Sequence, residues 1–148
     1  MSLEELLRDR IIRKTRPDRK LAVNSLTRAR RDIDTARTLI SHGKLDWSLA
    51  VSYNAMLQAG RALMFGQGYI PSSKEGHVAV VKFLRASLGA EIGDRMAMVL
   101  NGMRKKRHRI VYEEMDIVSE DEAGQALKWA EEFVKRVDGM FHKKSNSS

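Results

Sequence analysis

Ala22, Leu26, Ala29, Ile33, Ala36 and Ile40 recur at alternating steps of four and three. That spacing predicts one buried face of a long helix, ended by His42-Gly43. Upstream, Leu3 to about Lys14 reads as a short amphipathic helix. Thr15, Pro17 and Asp18 form a restart, with the proline in the first turn and an acid at the positive helix end. Asp46 is placed to cap the next helix, which runs to about Phe65 and stops at Gly66-Gln67-Gly68. Trp47, Leu49, Val51, Tyr53, Ala55, Met56, Leu57, Ala62, Leu63 and Phe65 make that helix apolar nearly all round, as expected of a central one.

The loop GQGYIPSS leads to Ser72 and Glu75, which have capping-box spacing. The helix behind them carries His77, Val80, Val81, Leu84 and Leu88 on one side and breaks at Gly89. Another follows with Ile92, Met96, Val99, Leu100 and Met103 inward, and runs into the cluster RKKRHR. Ser119 and Glu122 form a second capping box. They open a last helix with Ala123, Ala126, Leu127, Ala130, Phe133, Val134, Val137 and Phe141 inward. No strand pattern competes, Ile110 to Tyr112 being too short. The expected fold class is all-α, an antiparallel up-and-down bundle of about five main helices.

At 148 residues the chain suits one domain with a real core, expected over residues 1–142, with a fraying polar tail at 143–148. Cysteine is absent, which excludes disulfides, thiolate metal sites and cysteine nucleophiles. The N-terminus lacks an apolar core of signal-peptide length and no run approaches a membrane span, so no membrane association and a cytoplasmic location are expected. The net charge of +8 adds a partner class, since such a surface attracts phosphate polyanions or an acidic protein.

Two features break the amphipathic pattern. Asn54, Gln58 and Arg61, spaced by four and three, form one polar stripe on the central helix. An unpaired arginine is costly to bury, so the stripe should face solvent, a cleft, a partner or a compensating acid. The second is Arg104, Lys105, Lys106, Arg107, His108 and Arg109. Extending the Ile92, Met96, Leu100, Met103 stripe reaches Arg104 and Arg107, so cations stand where the period would put core residues. The helix dipole favours such charge near a C-terminus, and the cluster also suits phosphate, arginine by paired hydrogen bonds and lysine as a point charge. His42 is expected at a helix end and His142 in the tail, while His77 suits a core-edge imidazole better than a cleft-lining one. No histidine pair has metal-ligand spacing, and Gly66, Gly68 and Gly76 do not fit a phosphate-binding loop, so neither metal nor cofactor is expected.

The stretch MRKKRHRIVYEE resembles the signature of the HEPN family, an arginine and a polar residue with a histidine four to six residues beyond, at a helix end. Arg107 matches the arginine, His108 the polar residue after it, and Tyr112 the usual histidine position. The segment SLAVSYNAMLQAGRALMFGQGYIP, followed by KEGHVAVV, resembles the family's preceding helices, with Tyr53, Asn54, Ala55, Met56, Arg61, Ala62 and Leu63 carrying the match. The likeness covers about Arg19 to Phe141. It implies a helical bundle that homodimerises and brings two signature helix ends into one cleft. It also implies metal-independent ribonuclease activity in active members, some of them toxins paired with nucleotidyltransferase-type antitoxins.

On that resemblance the phosphate-binding residues are Arg61, Arg104, Arg107 and Arg109, and Tyr53, Asn54 and Gln58 line the cleft. If the protein is an enzyme, Arg107 acts with His108 or Tyr112. Arginine would stabilise charge building on the phosphate and the partner would handle the proton of a 2′-hydroxyl. Here the pattern departs from the family's: Arg104 to His108 is one residue short of the active spacing, and Tyr112, a phenol, stands at the histidine position. The expected function is therefore a binding module for RNA, a nucleotide or an acidic partner. A ribonuclease and an inactive subunit of a nucleotidyltransferase partner are the alternatives.

Overall fold

The computed structural model describes residues 1–72 and 76–146, with side chains as far as His142. Among them six helices and one small ribbon follow in the order α1 (Leu3–Arg8), β1 (Ile12–Lys14), α2 (Arg19–Ser41), α3 (Leu45–Gln67), β2 (Tyr69–Pro71), α4 (Gly76–Ser87), α5 (Ala90–Tyr112) and α6 (Glu120–Asn146). The molecule is an all-α bundle.

The first departure from expectation is at the N-terminus. The helix stops at Arg8, Arg10 adopts φ of 57°, and the chain turns extended. Adjacent Ile11 and Ile12 are stiff, β-branched and better suited to a strand. Ile12–Lys14 pairs antiparallel with Tyr69–Pro71, in the loop where no strand was expected, Ile12 facing Pro71 and Lys14 facing Tyr69. Burial of Leu6 and Ile12 anchors this ribbon to the core.

Asp18 is the N-cap of α2 and accepts from the Leu21 amide at 2.9 Å, so Pro17 precedes the cap rather than sitting in the first turn. The Thr15 amide donates to the Gly68 carbonyl at 2.8 Å, and that of Asp18 to Phe65 at 2.9 Å. These bonds seat the start of α2 against the end of α3. Gly68, at φ of 87°, is the left-handed cap of α3; a Cβ there would sit 2.8 Å from the Thr15 carbonyl oxygen. At the other end of the hairpin the Ser48 hydroxyl donates to the Ala36 carbonyl at 2.8 Å.

Helix α3 is the hub, packed against α2, α4, α5 and α6. That explains its apolar circumference: Leu49, Tyr53, Ala55, Met56, Leu57, Ala59, Ala62, Leu63 and Met64 are all buried. Trp47 is an exception to the expected burial and stays exposed in the first turn. Asp46 also departs from expectation, because Lys44 is the N-cap of α3 and makes no side-chain cap. The Asp46 carboxylate instead accepts from the amides of Asp116, Ile117 and Val118 at 2.7, 3.2 and 3.0 Å, fixing the loop that leads into α6.

Glycine sets the approach of α4. A Cβ on Gly60 of α3 would meet Val80 Cγ1 at 2.6 Å, so the two helices touch almost backbone to side chain. Gly89 turns the chain at φ of 84°, and α5 returns with Ala97, Leu100 and Met103 buried. Ile92, expected inward, is exposed near the start of α5. The Ser119–Glu122 capping box forms as read, Glu122 N to Ser119 Oγ at 3.1 Å and Ser119 N to Glu122 Oε1 at 3.3 Å. The box at Ser72 and Glu75 cannot be described, because Glu75 lies outside the described residues. Helix α6 continues to Asn146, past the boundary at residue 142 expected from composition.

Candidate phosphate-binding site

Helix α5 stays helical through the whole basic cluster, to Tyr112. Helical geometry therefore sorts the cations around the axis, 100° apart. Arg104 and Arg107 continue the face of Ala97 and Leu100 and come out beside α3 and α4.

Three neighbours are engaged elsewhere. Lys106 Nζ lies 3.0 Å from the Glu122 carboxylate, and Arg109 Nη2 lies 3.0 Å from that of Glu114. His108 Nε2 stands 4.0 Å from Glu113, its ring 4.9 Å from that of Tyr112. His108 and Arg109 are exposed, and so is Tyr112. The Lys106 ammonium donates to Glu122 and, with the Ser119 amide, holds that carboxyl below its usual range.

On the inner face, the Arg107 guanidinium carbon lies 6.0 Å from the centroid of the Tyr53 ring, within cation–π range. Arg107 Nε is buried and has no hydrogen-bond partner among the described residues. Tyr53 is fully buried, and its hydroxyl lies 3.0 Å from Nδ1 of His77. Tyr53 therefore supports the site from beneath rather than lining an open cleft. Arg61, one helical face along α3, reaches the start of α4: a Cβ on Gly76 would be 3.9 Å from its Nη2. Asn54 and Gln58 are half-buried on the same stretch of α3.

The arginines act electrostatically on both Tyr53 and His77. Burial pushes the His77 imidazole below its ordinary value, and Arg61, Arg107 and Arg104 push it the same way. Burial raises the Tyr53 phenol, against the opposing pull of Arg104, Arg107 and Arg61. The same three arginines thus act on both members of the hydrogen-bonded pair. Among the described residues none of the three forms an ion pair.

Of the residues singled out in the sequence, Arg107 lies over Tyr53, Arg61 and Arg104 act electrostatically on Tyr53, and Asn54 and Gln58 lie alongside on α3. His108, Arg109 and Tyr112 stand apart on the outer side of α5. His77 is half-buried at the edge of the core, where its Nδ1 meets the Tyr53 hydroxyl. Its signal was an isolated imidazole at the head of the inward stripe of α4.

The model for the HEPN domain matches residues 22–140, most of the chain. The protein belongs to the HEPN family. The match spans α2 to α6 and so includes every helix that builds the arginine group, while α1 and β1 lie before it. No curated protein and no solved structure matches the chain. No helix among the described residues of this HEPN domain is long and apolar enough to cross a membrane, and no group of three or more histidine or acidic side chains there could hold a metal ion.

Distinct concavities lie away from the arginines. One of about 630 Å³ separates α5 from α6, floored by Leu49 and walled by Met98, Met103 and Trp129. Another of about 240 Å³ lies between Arg19, Leu63 and Phe141.

Proposed function

We propose that this HEPN domain is a phosphate-binding module for RNA or a nucleotide, with Arg61, Arg104 and Arg107 as the phosphate contacts and Tyr53 and His77 as their support. One observation carries the reading: Lys106 and Arg109 are paired with acids, whereas among the described residues Arg61, Arg104 and Arg107, which act on Tyr53 and His77, form no ion pair. Like charges gathered without compensation are costly, and an arriving phosphate offsets that cost through charge-assisted hydrogen bonds. The overall charge of +8 steers polyanions toward the surface.

A ribonuclease would also need a proton acceptor facing the bound phosphate. His108 and Tyr112 pack ring against ring and are exposed, with His108 4.0 Å from Glu113, which favours the binding reading over the catalytic one. Toxin-like pairing with a nucleotidyltransferase and homodimer formation belong to the same proposal, as the assemblies in which the site would be used.

Titration with single-stranded RNA at two salt concentrations tests it. Binding should weaken steeply with salt, and Arg107→Ala should lower the slope of log affinity against log salt by about 0.7, one phosphate contact on a single strand. Binding that is absent or indifferent to salt would remove RNA and leave the nucleotide reading, which the same variant tests with a nucleoside phosphate.

A further inference from the structure

Arg10, Arg13, Lys14 and Arg16 fall within seven residues that contain no acid. All four are exposed, whereas Ile12 between them is buried and Ile11 packs against the core. At about 3.3 Å per residue of extended chain they lie within about 20 Å of one another. None of the four forms an ion pair among the described residues. Asp9 and Asp18 flank the stretch, and Asp18 is engaged as the N-cap of α2. Residues 73–75, which follow Ser72 in the chain, carry one lysine and one glutamate, so they leave this excess of positive charge unchanged.

The stretch is fastened at both ends. Arg13 and Lys14 sit on β1, opposite Ile70 and Tyr69 of β2. The Ser72 amide donates to the Ile11 carbonyl at 3.1 Å, and the Ser72 hydroxyl donates to the carbonyl of Arg10. Beyond Lys14, the Thr15 amide is held by the Gly68 carbonyl at 2.8 Å. Arg10 has φ of 57°, which glycine would adopt at no steric cost, yet a long cation occupies the position. Cations on such a mount lose less freedom on binding than cations on a loose tail.

What surrounds the cations selects the partner. Insertion into a lipid surface needs exposed bulky apolar side chains, and both isoleucines here are turned to the core. A protein interface is anchored by an apolar or aromatic centre, which these exposed cations do not enclose. A single strand needs aromatic platforms for its bases. Tyr69, opposite Lys14, instead sets its ring 5.6 Å from that of Phe83. Charge alone remains, and it fits a regular array of phosphates.

We propose that Arg10, Arg13, Lys14 and Arg16 form a second anion-binding surface, on the N-terminal ribbon, for the sugar–phosphate backbone of a nucleic-acid duplex. The surface precedes residues 22–140, which match the HEPN model, and shares no residue with the arginines of α3 and α5. It therefore does not rest on the reading given above. Contacts to phosphate alone make the binding independent of base sequence.

Fluorescence anisotropy with an RNA duplex, a DNA duplex and a single strand of the same sequence, each at several salt concentrations, tests this. Both duplexes should bind more tightly than the single strand. Equal affinity for the two assigns the surface to any duplex, and tighter binding of RNA assigns it to the A-form helix. The triple variant Arg13→Gln, Lys14→Gln, Arg16→Gln should weaken duplex binding about tenfold or more. On DNA it should cut the slope of log affinity against log salt by about 2.7, three phosphate contacts at about 0.9 each. Its melting temperature should stay native, since Ile12 still anchors the ribbon, and Arg13→Lys with Arg16→Lys should retain binding. A control that removes the same charge from α2 and α6, Arg31→Gln with Lys128→Gln and Lys135→Gln, should change affinity far less. Equal losses from the two triple variants overturn the proposal, and so does a preference for the single strand. Phosphatidylserine vesicles or a polyglutamate peptide bound more tightly than either duplex overturn it too, in favour of lipid or an acidic protein. Duplex binding lost in the ribbon variant but kept in Arg107→Ala upholds this surface whatever becomes of the α3 and α5 arginines; the reverse pattern removes it and leaves them.

Discussion

The Tyr53 hydroxyl lies 3.0 Å from Nδ1 of His77, joining the middle of α3 to the first turn of α4. Around this neutral pair stand three arginines from two helices, Arg61 on α3 with Arg104 and Arg107 on α5.

Tyr53→Phe removes the donor to Nδ1. A bond that stabilises the neutral imidazole is lost, so the His77 pKa should rise toward its ordinary value, read by imidazole NMR shifts. Stability should fall by about 1 kcal/mol in denaturant unfolding. An unmoved His77 titration would mean that the bond has no influence on the ring.

His77 also gives the free protein a pH dependence. Its folded-state value is lowered, so the unfolded chain binds more protons as the medium becomes acid. The contribution to stability is complete above about pH 6.5, the ordinary histidine value, and is lost as the pH falls through the lowered folded-state value. Melting curves across that window should be flatter for His77→Gln than for the native chain. Parallel curves would show that His77 does not contribute.

Gly60 admits α4 to α3. Gly60→Ala puts a methyl 2.6 Å from Val80 Cγ1 and 3.3 Å from Leu84 Cδ1. The overpacking should cost about 1–3 kcal/mol and move His77 relative to Tyr53. Thermal melts and RNA affinity should both decline. A substitution neutral in both would show that the helices can separate freely.

Asp46→Ala leaves the amides of Asp116, Ile117 and Val118 without their shared acceptor. A loss of about 1–3 kcal/mol is expected for such orphaned donors. Hydrogen exchange at these three amides should quicken before exchange in the body of α6. Uniform acceleration would indicate a general loss of stability instead.

How much of this was legible in the sequence follows from the range of each interaction. The Ala22-to-Ala36 stripe, the His42-Gly43 stop and the Ser119–Glu122 box are local patterns, and each forms as read. The ribbon of Ile12–Lys14 with Tyr69–Pro71 was not visible, because it depends on two chain segments that meet only once α2 and α3 have paired. Asp46 has the chemistry of a cap, but its three partners lie some seventy residues away in sequence. In the RKKRHR cluster the charges and the inward line through Arg104 and Arg107 were plain, and the ion pairs were not. Which cations stay free depends on Glu114 and Glu122, and on Tyr53 lying under Arg107. The partner of His77 was hidden for the same reason, Tyr53 being 24 residues back on another helix.

The most direct test compares two charge-matched double variants in fluorescence anisotropy with single-stranded RNA or a labelled nucleotide. Arg61→Ala with Arg107→Ala removes two converging guanidiniums; Lys105→Ala with Arg109→Ala removes the same charge from the outer side of α5. The first pair should weaken binding about tenfold or more and cut the salt slope by about 1.4 on single-stranded RNA, while the second changes affinity far less. Equal losses from the two pairs would contradict the account, since binding would then follow net charge rather than a site built around Tyr53 and His77.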